Sequence, residues 1–463
     1  MKISIYQNIK KISKLLLGKF LLISYSYKFL SSYTQLFLLK KLIIHYKTEE
    51  QFIFDKINLN YDKILLGIKF KARKERIKVL FFVISESIWQ YDELYKIMQG
   101  SKYWEPIIYI VPNSTYMTDI DVEVKKTYNY FKNKNYQVVS YNEKKYINQL
   151  NLINPDFVFF TIPYENIFNG KQIKEFSISY WHKKALTCYV PYAFVTADLY
   201  DNNYNLTFQN IMWKCFYETE IHKKIAQIYS DNKGQNVIVT GYPGLERFFK
   251  AYKKKAQQRK KIIIWSPHHS IETFENRKFN DNLQYSDFLL YYDVFFELLK
   301  KYESEIYIIF KPHPALKAKL YQHKEWGKIK TDNYYSKWGN SINGTLNESN
   351  YVDLFLNSDG MINSSGSFTV EYLCLNKPCL FNFRNKNTQN DFNVFGMLAL
   401  SSWYKGYQTE DIINFIENIL KGIDPLKDER EKFINKYLKN TEPNDNVSEK
   451  IMKHLCQEIG VNE

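Results

Sequence analysis

The sequence predicts an α/β protein made of two doubly wound parallel sheets, and three observations carry that expectation. Short apolar runs such as Ile77 to Ser85, Pro106 to Val111 and Phe157 to Thr161 alternate with segments of helical spacing. Strands of a parallel sheet are covered on both faces, so they read as continuous apolar runs, and strand–helix alternation gives right-handed crossovers. The 463 residues exceed what one core ordinarily supports, which calls for two domains. Finally, several runs end in turns rich in His, Ser, Pro and Gly, at the carboxyl ends of strands where open α/β sheets hold ligands.

The elements follow in order. Ile77 to Ser85 is the first strand and Trp89 to Gln99 a helix, then Pro106 to Val111 a strand and Val122 to Lys134 a helix. Tyr136 to Ser140, Phe157 to Thr161 and Leu186 to Val190 continue the strands. Asn236 to Thr240 leads into a Gly241-Tyr242-Pro243 turn, and the polar stretch Lys250 to Lys261 precedes the second set. The domain change is placed near residue 235, giving 1–75 as an arm, 76–235 as the first domain and 236–463 as the second. In the second, Lys260 to Trp265, Ile306 to Phe310 and a run ending near Ile362 are strands, and Phe368, Val370, Leu373 and Leu375 are the apolar positions of a helix. Residues 323–349 are polar and irregular and read as a surface loop. Helices after Glu410 and after Asp428 complete the second domain and cross back onto the first.

Charge is unevenly spread. Nine lysines and no Asp or Glu lie in residues 1–48, accounting for nine of the net +15. The longest uncharged span there, Phe29 to Leu39, has eleven residues, whereas a membrane-crossing helix needs about 20. No small-residue cleavage site follows, so neither a span nor a signal peptide is expected. A basic amphipathic arm of this kind suits the anionic inner surface of the cell membrane. The alternative is an arm that packs on the protein's own surface. Its long apolar runs argue against a nucleic-acid partner. Five cysteines without Cys-x-x-Cys spacing suit a reducing cytosol and indicate neither disulfides nor zinc. No clustered His/carboxylate motif is visible, so no metal and no other cofactor is expected.

Asn363-Ser364-Ser365-Gly366-Ser367 has the form of a phosphate cradle between strand and helix. Free N–H groups, the helix dipole and the hydroxyls would converge on an anion, with Gly366 allowing close approach. Glu371, one turn further, would accept bonds from a ribose. The same residues would also make a serine-rich cap on a buried helix. Ser266-Pro267-His268-His269-Ser270 and Lys311-Pro312-His313-Pro314 each place His just past a strand. The prolines flanking His313 exclude helix and fix a rigid turn. A lone histidine in such a place is usually structural; three past the strands of one half favour a ligand site.

Lys311-Pro312-His313-Pro314 and the stretch from Ser367 to Pro378 resemble the CDP-glycerol glycerophosphotransferase family, which builds teichoic acids and related phosphate-linked capsules. His313 matches that family's His, and Ser367 the second Ser of its Thr-Asp-Tyr-Ser-Ser turn. Glu371 matches the acidic residue four positions on, and Asn376-Lys377-Pro378 the closing triplet. The family's Asp, aromatic and first Ser fall on Ser364, Ser365 and Gly366, a departure at the donor diphosphate. Gly241 to Arg247 is similar to the family's Gly-x-Pro segment. Trp181-His182 is similar to its Trp-His-Gly-Thr segment, with Lys183 and Lys184 in place of Gly and Thr.

The resemblance implies a GT-B-like fold: two Rossmann-type domains facing a cleft, the first for the acceptor and the second for the donor. It implies transfer of a polyol phosphate, glycerol phosphate before ribitol phosphate, from a CDP-linked donor. The acceptor would be a hydroxyl of a cell-surface saccharide or polyol-phosphate polymer, and CMP would leave. His182 would be the general base. His313, Lys311 and the Ser364, Ser365, Gly366, Ser367 turn would hold the donor phosphates, Glu371 the ribose, and His268 or His269 the cleft edge. Two other functions fit the same residues. A GT-B glycosyltransferase for capsule or lipopolysaccharide would differ in using a nucleotide sugar, and the departures at Ser364 to Gly366 would suit an inactive polymer-binding protein.

Overall fold

The computed structural model describes residues 32–113, 120–163, 167–168, 171–249, 260–271, 283, 285–348, 351–439 and 446–462. Residues 1–31 of the basic arm, Tyr164-Glu165 and most of the polar stretch before Lys260 lie outside them. Two units are distinguished, Met1–Lys56 and Ile57–Glu463. A helix spans Ser32–Lys71, and among the described residues no helix is long and apolar enough to cross a membrane.

The second unit contains both sheets. In the first half of the chain the strands are β1 (Ile77–Val83), β2 (Trp104–Ile110), β3 (Val138–Ser140), β4 (Phe157–Phe160), β5 (Ile167–Phe168), β6 (Lys171–Gln172), β7 (Leu186–Tyr189), β8 (Lys214–Tyr217) and β9 (Val237–Val239). β5 and β6 form a separate antiparallel ribbon; the others make a sheet in the order β3-β2-β1-β4-β7-β8-β9. The second half supplies β10 (Lys261–Ser266), β11 (Ile306–Phe310), β12 (Gly344–Leu346), β13 (Gly360–Asn363), β14 (Cys379–Asn382) and β15 (Tyr404–Gly406). Their order is β12-β11-β10-β13-β14-β15. All pairings within both sheets are parallel.

The strand composition explains the two-sided burial. Successive side chains point to opposite faces, so Phe81 joins Trp89, Tyr91 and Tyr95 in one core while Phe82 joins Tyr109, Phe176 and Trp181 in another. Phe81 stacks on Phe159 of the neighbouring strand at 4.9 Å. Each such ring contributes roughly 2–3 kcal/mol by leaving water. In the second sheet Trp265 is fully buried and stacks on Phe295 at 3.9 Å.

Three boundaries differ from the sequence reading. β9 pairs with β8, so the first sheet runs past residue 235; β8 is four residues long and too short to be read as a run. Residues 57–71, read as part of the arm, belong to the first core. Tyr61 is 1% exposed, and its hydroxyl meets Thr187 Oγ1 at 2.6 Å and donates to Ile211 O at 2.8 Å. Lys71 pairs with Asp156 at 2.7 Å. Residues 323–349 are not an irregular loop: they hold the helix Gly327–Gly339 and β12. Tyr334, Tyr335 and Trp338 are buried there, with lysines and asparagines masking them in the sequence. The closing helix Val447–Ile459 does return to the first domain. Ile451 and Leu455 share a core with Leu94, Tyr95 and Met98, and Ser448 Oγ donates to Glu246 at 2.6 Å.

Candidate active site

The strand order of the second sheet reverses between β10 and β13, and the loops leaving β10, β11 and β13 carry the predicted donor residues. This is the switch point at which open sheets leave a crevice beyond their strand ends. Backbone bonds tie the three loops together: Lys311 N donates to Trp265 O at 2.8 Å, His313 N to Pro267 O at 3.0 Å, and Ser364 N to Ser266 O at 3.1 Å. β10 and β11 are neighbours, so His268 and His269 meet His313. Ring centroids lie 4.1 Å apart for His268 and His269, 4.2 Å for His269 and His313, and 5.1 Å for His268 and His313. The three histidines expected past the strand ends are thus brought together, and the fold makes from two separate turns a cluster that no contiguous motif shows.

Electrostatics at this edge favour an anion. Lys311 is 5% exposed, and among the described residues no carboxylate forms an ion pair with it. Burial brings its ammonium down to about 8; Glu348 opposes the shift, and Lys126 of the first domain adds to it. Burial also pushes His268 and His313 well below the usual imidazole range, and His269 pushes both further. A charge is costly there unless a ligand of opposite sign arrives.

The serine turn is built differently from the expectation. Ser364 is fully buried, and its hydroxyl donates to Asp287 Oδ1 at 2.6 Å while accepting from His268 N at 3.2 Å. Ser364 therefore braces the His268 loop and does not face a ligand. Asp287, which nothing local marks in the sequence, is completed by Asn382 Nδ2 at 2.9 Å and Trp265 Nε1 at 3.2 Å. Gly366 is needed for a contact within the protein: a Cβ there would lie 3.0 Å from Thr196 Oγ1 and 3.3 Å from the Tyr285 ring. Ser365 is buried, and its carbonyl accepts from Thr369 Oγ1 at 2.9 Å. Ser367 is half-buried. The following helix is a single turn, Phe368–Glu371.

Glu371 lies in the interior and not on an open cleft wall. It is 1% exposed, and its Oε2 accepts from Tyr351 OH at 2.5 Å and from Arg247 Nη2 at 3.1 Å. Arg247 also bonds Tyr351 and sits over that ring at 4.6 Å. Burial raises the Glu371 carboxyl above its ordinary value, and Arg247 opposes the rise. Arg247 lies in the Gly241 to Arg247 segment, but its partner is 124 positions away.

His182 is not part of this constellation. It follows the short helix Ile178–Trp181 and precedes β7, which places it at the amino-terminal edge of the first sheet. Its Nδ1 bonds Ile178 O at 3.1 Å, and its carbonyl accepts from Asn60 at 3.1 Å. The opposite, carboxyl-terminal edge carries Glu86, which accepts from Thr127 Oγ1 and pairs with Lys126, each at 2.9 Å. The general-base expectation for His182 is corrected accordingly.

Comparison with known proteins agrees with this layout. The model of the CDP-glycerol:poly(glycerophosphate) glycerophosphotransferase family matches residues 201–457. No curated protein matches the chain. Among solved structures, a histidine variant of the wall teichoic acid polymerase TagF gives a TM-score of 0.55 at 12% identity, over 92% of this chain and 97% of that one. MnaA of S. aureus, solved with UDP, gives 0.54 at 15% identity, over 83% and 98%. UDP-GlcNAc 2-epimerase of Neisseria meningitidis bound to UDP-GlcNAc gives 0.51 at 15% identity, over 82% and 100%. Identities this low speak to the fold alone, which is GT-B-like. The family match covers more than half of the chain, including the histidine cluster, the serine turn and Glu371, and by it this protein is an enzyme of the CDP-glycerol:poly(glycerophosphate) glycerophosphotransferase family.

Proposed function

We propose that the enzyme transfers glycerol phosphate from CDP-glycerol to a hydroxyl of a teichoic-acid-like or saccharide polymer. The acceptor oxygen attacks the phosphorus that bears glycerol, the bond to the CMP oxygen breaks with its electron pair leaving on CMP, and the acceptor proton passes to solvent water. The observation that carries this reading is the concentration of His268, His269, His313 and Lys311 at one switch point, with no carboxylate paired to the lysine among the described residues. Such a group of donors suits a diphosphate and stabilises the charge that develops on departing CMP. Two domains holding acceptor and donor would align nucleophile, phosphorus and leaving oxygen. Incubation with CDP-glycerol, CDP-ribitol and UDP-sugars, with detection of the released nucleotide, tests the assignment. CMP release from CDP-glycerol in the presence of polymer is expected; release of UDP alone would replace the reading with a glycosyl transfer, which the UDP-linked neighbours would then favour.

Lys311 gives this reading a pH signature. With its ammonium at about 8, the side chain is charged below that pH and neutral above it, so a diphosphate loses a cationic partner as pH rises. The ratio kcat/KM follows the free enzyme and should fall by up to about tenfold per pH unit above 8. Lys311→Arg keeps its charge at every accessible pH, and should abolish that limb. Superimposable profiles for the two proteins would remove Lys311 from donor binding.

Residues 1–48 are proposed to dock on anionic lipid, bringing the enzyme to a membrane-associated acceptor. Their deletion should release the protein from anionic vesicles and weaken use of a lipid-linked acceptor while sparing a short soluble one. High salt should mimic the release. Equal vesicle binding by the full-length and truncated proteins would contradict the proposal.

A further inference from the structure

The three imidazoles offer ligand atoms that all lie within 4.8 Å of one another, a spacing at which a divalent metal is the first thought. The hydrogen bonds behind the rings point elsewhere. His268 Nδ1 accepts from Ser270 N at 3.2 Å, and a backbone N–H can only donate. Ser270 Oγ, 3.0 Å from the same nitrogen, already accepts from Tyr285 N at 3.0 Å and Ser286 N at 3.1 Å. Its own proton is therefore directed to His268 Nδ1. His313 is held in the same way: Pro314 has no N–H, and the next residue, Ala315, donates to His313 Nδ1 at 3.1 Å. In both rings Nδ1 keeps its lone pair for the protein, so the ring proton sits on Nε2.

We propose that Ser270 is a positioning residue that holds His268 with its proton on Nε2, and that His268 and His313 thereby form a donor pair for diphosphate oxygens and not a metal site. A metal bound at Nε2 would require Nδ1 to carry the proton and give it to an acceptor. Ser270 and Ala315 present donors at that position instead. An anion, by contrast, is met by two N–H groups that need no protonation step, with Lys311 beside them. The proposal rests on the reading of this edge as the donor site and adds the tautomer, the exclusion of metal and the role of Ser270.

The test uses the full-length protein labelled with ¹⁵N-histidine, with ring signals assigned through single His→Gln variants. His268 and His313 should show the Nε2-protonated pattern before any ligand is added. Titration with inorganic pyrophosphate should move their Nε2 signals, and Zn²⁺ should neither shift those signals nor raise thermal stability. Ser270→Ala should give a mixed tautomer at His268 and leave His313 unchanged. The same variant should raise KM for CDP-glycerol about tenfold with kcat little altered, as for one bond to a charged group, and Ser270→Thr should restore both. An Nδ1-protonated pattern at His268 in the parent protein, or saturable Zn²⁺ binding at these rings, would overturn the proposal. The parent protein's tautomer decides the matter even if Ser270→Ala does not fold. Pyrophosphate-responsive Nε2 signals in a protein that turns over no CDP-glycerol would count against the proposed reaction and leave the tautomer assignment standing.

Discussion

Replacing His313 by Ala should lower donor turnover at least about 10²-fold, the range for loss of an electrostatic or acid–base group, with the unfolding transition almost unmoved. The ring is half-buried in a turn that its backbone already holds, since His313 N bonds Pro267 O at 3.0 Å and His313 O accepts from Leu316 N at 2.9 Å. Truncation leaves Ala315 N without its side-chain acceptor, a loss of about 1 kcal/mol. On the proposed reading, the variant lacks an N–H that would meet the donor beside His268 and Lys311. The telling measurement is CMP release alongside chemical denaturation. His182→Ala is the matched control, because that residue stands at the opposite edge of the other sheet and should leave turnover close to normal. Normal turnover by His313→Ala would show the Pro-His-Pro turn to be structural. Equal losses from the two variants would mean that the edges have been misassigned.

The histidine cluster was legible because its two halves end strands of a type that sequence reports well. Ile262 to Trp265 and Ile306 to Phe310 are continuous apolar runs, and consecutive strands of a doubly wound sheet tend to be neighbours. Turns at adjacent carboxyl ends then meet. His182 misled for the complementary reason: similarity of Trp181-His182 to a motif gives residue type, whereas the side of the strand on which a residue falls decides its edge, and His182 precedes β7. Ser364 to Gly366 were read as ligand-facing because hydroxyls and a glycine after a strand suit a phosphate. The competing partners, Asp287 and Thr196, come from distant segments with no local signal. The helix Gly327–Gly339 was hidden by its polar face, and its buried aromatics looked like scattered residues in a lysine- and asparagine-rich stretch.

Glu371→Ala should cost stability as well as activity, by about 3 kcal/mol, the low end for breaking a buried pair because Arg247 keeps some access to water. The carboxylate is enclosed and takes bonds from Tyr351 and Arg247. The Arg247 side chain is 27% exposed, and its Nε is buried with no hydrogen-bond partner among the described residues. Removing Glu371 strands that guanidinium against Tyr351 and Phe248, while Glu371→Gln keeps an acceptor for Tyr351 and should lose less. Replacing both partners, as Arg247→Met with Glu371→Leu, removes the uncompensated charge and should recover most of the stability. Activity then separates the two roles. If Glu371 also receives the donor ribose, the double variant will be stable and will keep a raised KM for CDP-glycerol. If it only fastens Arg247 and Tyr351 to the second domain, restored stability will bring normal KM with it, and the ribose assignment must be given up.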